Sequence, residues 1–123
     1  MSTAQSPSSP SVPAGQREDA PAQVAHRLPE RDEIRIEAVL QALADPVRLE
    51  LVRQLAREGR PLMCGAFDVS VSKSTLTHHL RTLREAGVIA SRPRGTSRLN
   101  RLRRDDLDTL FPGLLHGVLA APR

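Results

Sequence analysis

Apolar residues recur along residues 72–87 in a single stripe. Leu76, Leu80 and Leu83 stand at spacings of 4 and 3, the period of one helix face. Ser72 precedes the stripe and Gly87 follows it. A serine hydroxyl can accept from a free amide of the first turn, and glycine takes the left-handed backbone that ends a helix. The pattern predicts a helix over 73–86. At about 100° per residue its opposite face carries Ser74, Thr77, His78, Arg81 and Glu85. Two further helices are expected upstream. Ile36, Val39, Leu40 and Leu43 make the core face of the first, with Asp32 placed to cap it. Asp45-Pro46 opens the second, an acidic N-cap followed by proline at the first helical position. Val47, Leu51, Val52, Leu55 and Ala56 give it a broad apolar face, and Gly59 closes it.

Residues 61–71 are less regular. A short or irregular helix is expected near 63–68, where Gly65 and the pair Val69/Val71 lower helix propensity. Beyond Gly87, residues 88–92 and 98–102 are strand candidates around a turn at Arg94-Gly95-Thr96. The second strand alternates poorly, because Leu99 and Leu102 are three apart. Asp105 begins a last helical region with Leu107, Leu110 and Phe111. Pro112 interrupts it, or opens a second short helix carrying Leu114, Leu115, Val118 and Leu119. A hairpin directly behind an amphipathic helix with a polar front is the layout of a winged helix-turn-helix. The expected fold class is therefore mainly α with a small β-hairpin, in the order α-α-α-α-β-β-α, over residues 31–120. Residues 1–30 are rich in Ser, Pro, Ala and Gln and show no period. They are expected to form a disordered tail. No internal repeat is present.

Composition narrows the function. The chain has 123 residues, room for one domain. No apolar run is long enough for a membrane span, and the amino terminus lacks the pattern of a signal peptide. A single cysteine excludes an intrachain disulfide and suits a reducing cytosol, so a cytoplasmic location is expected. Phe67 and Phe111 are the whole aromatic content. Single-strand binders stack bases on aromatic platforms, which favours duplex DNA as the partner. The net charge of +4 conceals an uneven distribution. Residues 60–104 hold ten Arg or Lys against Asp68 and Glu85, a net of +8. Such a block is the electrostatic footprint of a duplex binder. The helix at 73–86, apolar behind and studded in front with hydroxyls, imidazole and guanidinium, fits a major groove. Arg92, Arg94 and Arg98 would line the wing and meet phosphates or a minor groove. No Ser/His/Asp set has supporting spacing and Gly95 is isolated, so the chain is not expected to be an enzyme. A competing reading, a winged helix serving as a protein-interaction scaffold, would predict an acidic or apolar face where the basic block lies.

Ala44-Asp45-Pro46-Val47-Arg48-Leu49, the run from Ser72 to Ile89 with His78-His79-Leu80 and Arg84-Glu85-Ala86-Gly87 inside it, and the basic hairpin follow in order at suitable spacing. Together they resemble the ArsR-type winged helix transcriptional regulators over roughly residues 33–111. The resemblance implies a dimeric bacterial DNA-binding protein, usually a repressor, that pairs through its first and last helices and binds an inverted repeat. It places the 73–85 helix in the major groove. Expected DNA contacts are Ser72, Lys73, Ser74, Thr75, Thr77, His78 and Arg81 on the helix, with Arg92, Arg94 and Arg98 on the wing. Expected dimer contacts are Ile36, Val39, Leu107, Leu110, Leu114, Leu115 and Val118.

The chain departs from the metal-sensing members, which carry a Cys-x-Cys pair in the positioning helix. Here that place reads Met63-Cys64-Gly65, and one thiolate is too few for a site that wants about four ligands. Asp105, Asp106, Asp108 and His116 do not reproduce the Asp/His pairs that other members carry on the last helix. Asp105 and Asp106 suit a helix N-terminus. No metal and no cofactor are expected, and no residue pattern specifies an effector. Cys64 is either a small core residue or a candidate redox thiol, with no second cysteine to resolve it; a thiol-based redox regulator is the second alternative. His78 is a candidate base or phosphate contact. His79, about 100° round the helix from it, is expected to pack and fix the helix.

Overall fold

The computed structural model describes residues 28–122. Of the expected tail, residues 1–27 lie outside the described residues. Leu28, Pro29 and Glu30 lead into a 3-10 turn at Arg31–Glu33. The elements that follow are α1 (Ile36–Leu43), α2 (Pro46–Glu58), β1 (Leu62–Met63), a 3-10 turn at Cys64–Ala66, α3 (Lys73–Ala86), β2 (Ile89–Arg94), β3 (Ser97–Leu102), α4 (Arg104–Leu110) and α5 (Leu114–Ala120). The three strands form one antiparallel sheet in the order β1-β3-β2. This is a winged helix-turn-helix with a three-stranded wing.

The helix boundaries follow local chemistry. Asp45 caps α2 by accepting from the amides of Val47 at 2.9 Å and Arg48 at 3.0 Å, and Pro46 occupies the first helical position. Ser72 caps α3 by accepting from the Thr75 amide at 3.2 Å. At the far end of α3, Gly87 donates to Arg84 O and Val88 donates to Leu83 O, the paired bonds of a Schellman stop. Helix α1 differs from expectation. Asp32 sits in the 3-10 turn, and α1 begins only after Arg35, whose backbone is extended. The reason is Ile34, a buried residue in the extended link. Its side chain fills the space over Gly87, and a helix running back to Asp32 would withdraw it.

The segment before α3 also departs from the expected short helix. Leu62 pairs with Asn100 and Met63 with Leu99, so these residues add a strand to the free edge of β3. Only Cys64–Ala66 turns helically, as a single 3-10 turn. The following backbone is held from α2. The buried Gln54 carboxamide donates to Asp68 O at 2.8 Å and accepts from Asp68 N at 2.9 Å. Pro112 separates α4 from α5, so the terminal region is two short helices. Pro93 lies in β2, an edge strand of the sheet, where its missing amide disturbs no central ladder.

The core is one cluster. Val39, Leu51, Val52, Leu83, Val88, Ile89, Leu107 and Leu115 are each at most 1% exposed. Helix α1 packs on α2 and α3, and α3 packs on α2 and β2. The apolar stripe of α3 thus faces inward and leaves its polar face outside.

The Asp45 cap yields a pH-dependent prediction. The Arg48 amide bond, with the Val47 amide bond beside it, holds its carboxyl below the usual range. A depressed folded-state pKa contributes stability above the unfolded value of about 3.9 and loses it as pH falls through the folded value. Asp45→Ala should cost about 1 kcal/mol near neutral pH. Urea midpoints of wild type and variant should converge in acid. Equal separation at both pH values would show that the cap is not the source.

Candidate nucleic-acid interface

Helix α3 presents Ser72, Lys73, Ser74, Thr75, Thr77, His78 and Arg81 to solvent around its cap and along its polar face. The Ser72 hydroxyl donates to Thr75 Oγ1 at 2.9 Å, so these two side chains order each other at the helix start. The wing places Arg92 and Arg94 in the open on β2 and half-buries Arg98 on β3. Its tip is the two-residue turn Gly95-Thr96, with Gly95 at φ +62°. Three of the ten basic residues in 60–104 are spoken for. Arg60 pairs with Glu58 at 3.3 Å, Arg104 with Asp108 at 3.8 Å, and the buried Arg103 with Asp106 at 2.9 Å. Arg103 also donates to Pro29 O at 2.7 Å, tying the leading residues to the start of α4. The remaining seven are Lys73, Arg81, Arg84, Arg92, Arg94, Arg98 and Arg101. Among the described residues they make no salt bridge. Lys73, Arg81, Arg92, Arg94 and Arg101 are exposed, Arg98 is half-buried and Arg84 is buried, so positive charge without salt bridges spans α3 and the wing.

The corner between α1 and α2 braces this face. Arg48 donates through Nε to Ala42 O at 2.7 Å, closing the end of α1. Its Nη1 lies 3.2 Å from His79 Nδ1 on α3. A guanidinium can only donate, so Nδ1 accepts and a neutral ring carries its proton on Nε2. That nitrogen faces Asp45 Oδ2 at 3.9 Å. His79 is 12% exposed at its side chain, consistent with packing rather than contact with a partner. The rings of His78 and His79 are 5.7 Å apart and tilted by 54°. The Asp45-Pro46-Val47-Arg48 run is thus both a helix cap and a strut to α3.

Two buried polar residues, besides Gln54 and Arg103, escaped the sequence reading. Arg84 is 6% exposed, and Asn100 is fully buried. Arg84 donates through Nη1 to Ser91 Oγ at 3.3 Å, and Arg98 donates through Nε to the same oxygen at 3.4 Å. Burial, and then the Arg98 charge, push the Arg84 pKa down. Asn100 donates to Leu62 O at 3.1 Å and to Cys64 Sγ at 3.7 Å. Arg84 was signalled by its position. It follows Leu76 and Leu80 at i+4 steps and so shares their inward row. Nothing in the local pattern marked Asn100. Cys64 is half-buried against β3, its thiol 3.9 Å from Arg98 O.

The residues expected at a dimer contact divide. Val39, Leu107 and Leu115 are each 1% exposed and belong to the protomer's own core. Their side chains are packed within the single chain's core. Leu110, Leu114 and Val118 are half-buried, and Ile36 is 37% exposed. Leu40, on the same face as Ile36, is 48% exposed. Among the described residues no three His, Cys, Asp or Glu side chains gather as metal ligands. None of the described helices is long and apolar enough to cross a membrane.

Residues 43–92 match the model of a helix-turn-helix domain. The HTH-type transcriptional regulator YceK of Bacillus subtilis (strain 168) is 37% identical over 86 residues, 68% of this chain and 85% of that protein. The arsenical resistance operon repressor of the same organism is 34% identical over 61 residues, 49% of this chain and 58% of that one. Among solved structures, Rv0081 of Mycobacterium tuberculosis superposes with a TM-score of 0.52 at 29% identity, covering 67% of this chain and 82% of that one.

Proposed function

The chain belongs to the ArsR-type winged helix-turn-helix transcriptional regulators, DNA-binding proteins and not enzymes, and from that membership we propose that it acts as a dimeric repressor on an inverted repeat. Helix α3 enters the major groove and the wing lies on the flanking backbone. The observation that carries this reading is the set of six solvent-reaching cations across α3 and the wing, Lys73, Arg81, Arg92, Arg94, Arg98 and Arg101, that make no salt bridge among the described residues. Arg81, exposed in the middle of the polar face of α3, reaches base edges, with Ser74, Thr77 and His78 beside it. Lys73, Arg92, Arg94 and Arg98 hold phosphates. The test is a comparison of two variants on cognate and scrambled duplexes. Arg81→Ala should cost about 1–3 kcal/mol on the cognate site and relax preference at particular base pairs. Arg94→Ala should weaken both duplexes about equally. Uniform losses in both variants would overturn the division of roles.

The second copy pairs through α1. Ile36 and Leu40 are exposed one turn apart on that helix, an apolar strip that a partner would cover. Leu40→Asp should move the protein toward monomer in light scattering at micromolar concentration while leaving the fold intact. A wild-type monomer that still binds duplex would defeat the dimer. Leu115→Asp is unsuited to this question, because it charges the protomer's own core.

Loss of operator binding through a thiolate metal site is not expected, since each chain supplies one thiol. Arsenite, zinc or cadmium should leave the complex intact in wild type and in Cys64→Ser alike.

A further inference from the structure

A cleft of about 490 Å³ runs between α3 and the wing. Lys73, Arg81 and Arg84 line it from the helix, Arg98 and Asn100 from β3, and Cys64 from the 3-10 turn. No carboxylate lines it. A charged group carried into a protein interior is costly unless it is paired. Arg84 is 94% removed from solvent yet makes no salt bridge among the described residues. Its hydrogen-bond partner is the Ser91 hydroxyl, which it shares with Arg98. Among the described residues Arg84 Nε has no hydrogen-bond partner. Two guanidinium groups therefore converge on one neutral hydroxyl, with Arg81 and Lys73 along the same cleft. The other buried cation of the fold, Arg103, is bonded to Asp106 at 2.9 and 3.0 Å. Arg84 thus differs from Arg103 in having no carboxylate within salt-bridge distance among the described residues.

We propose that this cleft is an oxyanion site for a phosphate group, with Arg84 and Arg98 as its principal ligands. Guanidinium pairs suit a phosphate because its oxygens accept several parallel N–H bonds at once. The position between α3 and the wing makes the sugar-phosphate backbone of a bound duplex one source. The cleft volume of about 490 Å³ also has room for a free phosphorylated molecule. Only the choice of DNA as the source rests on the reading of α3 and the wing as a DNA interface; the anion site itself stands on the local geometry. On the backbone reading, Arg84 is a clamp that grips the duplex from within the fold. On the free-ligand reading, an anion in the cleft would compete with DNA for the same cations.

The test uses the full chain and inorganic phosphate, exchanged for chloride at constant ionic strength. Amide chemical shifts of Arg84, Ser91, Arg98 and Asn100 should move saturably and together. Arg98→Gln should raise the phosphate concentration at half-saturation at least about tenfold, the loss of one charge-assisted bond. Arg84→Gln should do the same if it folds; Arg98 is the safer position because it is only half-buried. A parallel titration follows duplex binding. Displacement of the duplex by phosphate beyond the matched chloride control, with a salt slope lowered by about one in Arg98→Gln, assigns the site to the DNA backbone. Saturation without displacement keeps the site and assigns it to a free phosphorylated ligand. Saturation in a protein that binds no duplex removes the DNA reading and leaves the cleft standing. Absence of saturable shifts, or saturation unchanged in Arg98→Gln, overturns the proposal.

Discussion

Raising salt from about 50 to about 200 mM should lower the affinity of this protein for its cognate duplex about 10³–10⁵-fold, if a dimer neutralises about six to ten phosphates. The size of the effect follows from charge left unspent. Six solvent-reaching basic side chains on each α3 and wing, Lys73, Arg81, Arg92, Arg94, Arg98 and Arg101, make no salt bridge among the described residues. Each phosphate they neutralise releases condensed counterions, and added salt opposes that release. Arg60, Arg103 and Arg104 should contribute little, because Glu58, Asp106 and Asp108 already hold them. Removing Arg92 or Arg94 should reduce the slope of log affinity against log salt by about one each, while Arg104→Ala should leave it unchanged. The measurement is fluorescence anisotropy of labelled duplex across a salt series. A nearly flat response would remove the electrostatic account of binding.

The largest expected change in stability comes from a glycine. Gly87 has φ +88°, and a Cβ there would lie 2.6 Å from Ile34 Cγ1, 2.8 Å from Cδ1 and 3.2 Å from Cγ2. Gly87→Ala incurs about 1–2 kcal/mol for the left-handed backbone and about 1–3 kcal/mol more for overpacking. Gly59 separates the two costs. It has φ +66° and nothing within 4 Å of its virtual Cβ, so Gly59→Ala should show the backbone cost alone. Urea unfolding of both variants gives the comparison. The double variant Ile34→Ala/Gly87→Ala should lose less than the sum of the single losses, because the steric conflict is shared. Equal losses at Gly87 and Gly59 would mean that Ile34 moves aside freely. Gly87 lies in the two-residue link between α3 and β2.

Much of this molecule is written locally. Leu76, Leu80 and Leu83 set the face and length of α3, and Ser72 and Gly87 set its ends, because helical period and capping depend on residues a few positions apart. Asp45-Pro46 fixes the start of α2 for the same reason. The hairpin at Gly95-Thr96 and the basic excess over 60–104 are equally local. The sequence by itself therefore determined the winged helix order, the polar front of α3 and the placement of charge. The tertiary structure decided what depends on residues far apart. It turned Leu62 and Met63 into a strand, because β3 offered an unpaired edge across 38 residues between Leu62 and Asn100. It delayed α1 to Ile36, because Ile34 fills the space over Gly87. It drew Val39, Leu107 and Leu115 into the core and left Ile36 and Leu40 outside, a partition that helical period alone leaves open when both faces are apolar. Within residues 60–104 it spent three arginines on ion pairs and buried a fourth, Arg84, with none among the described residues. Charge and period are properties of a stretch of chain; which surface is covered, and by what partner, is settled only when distant stretches meet.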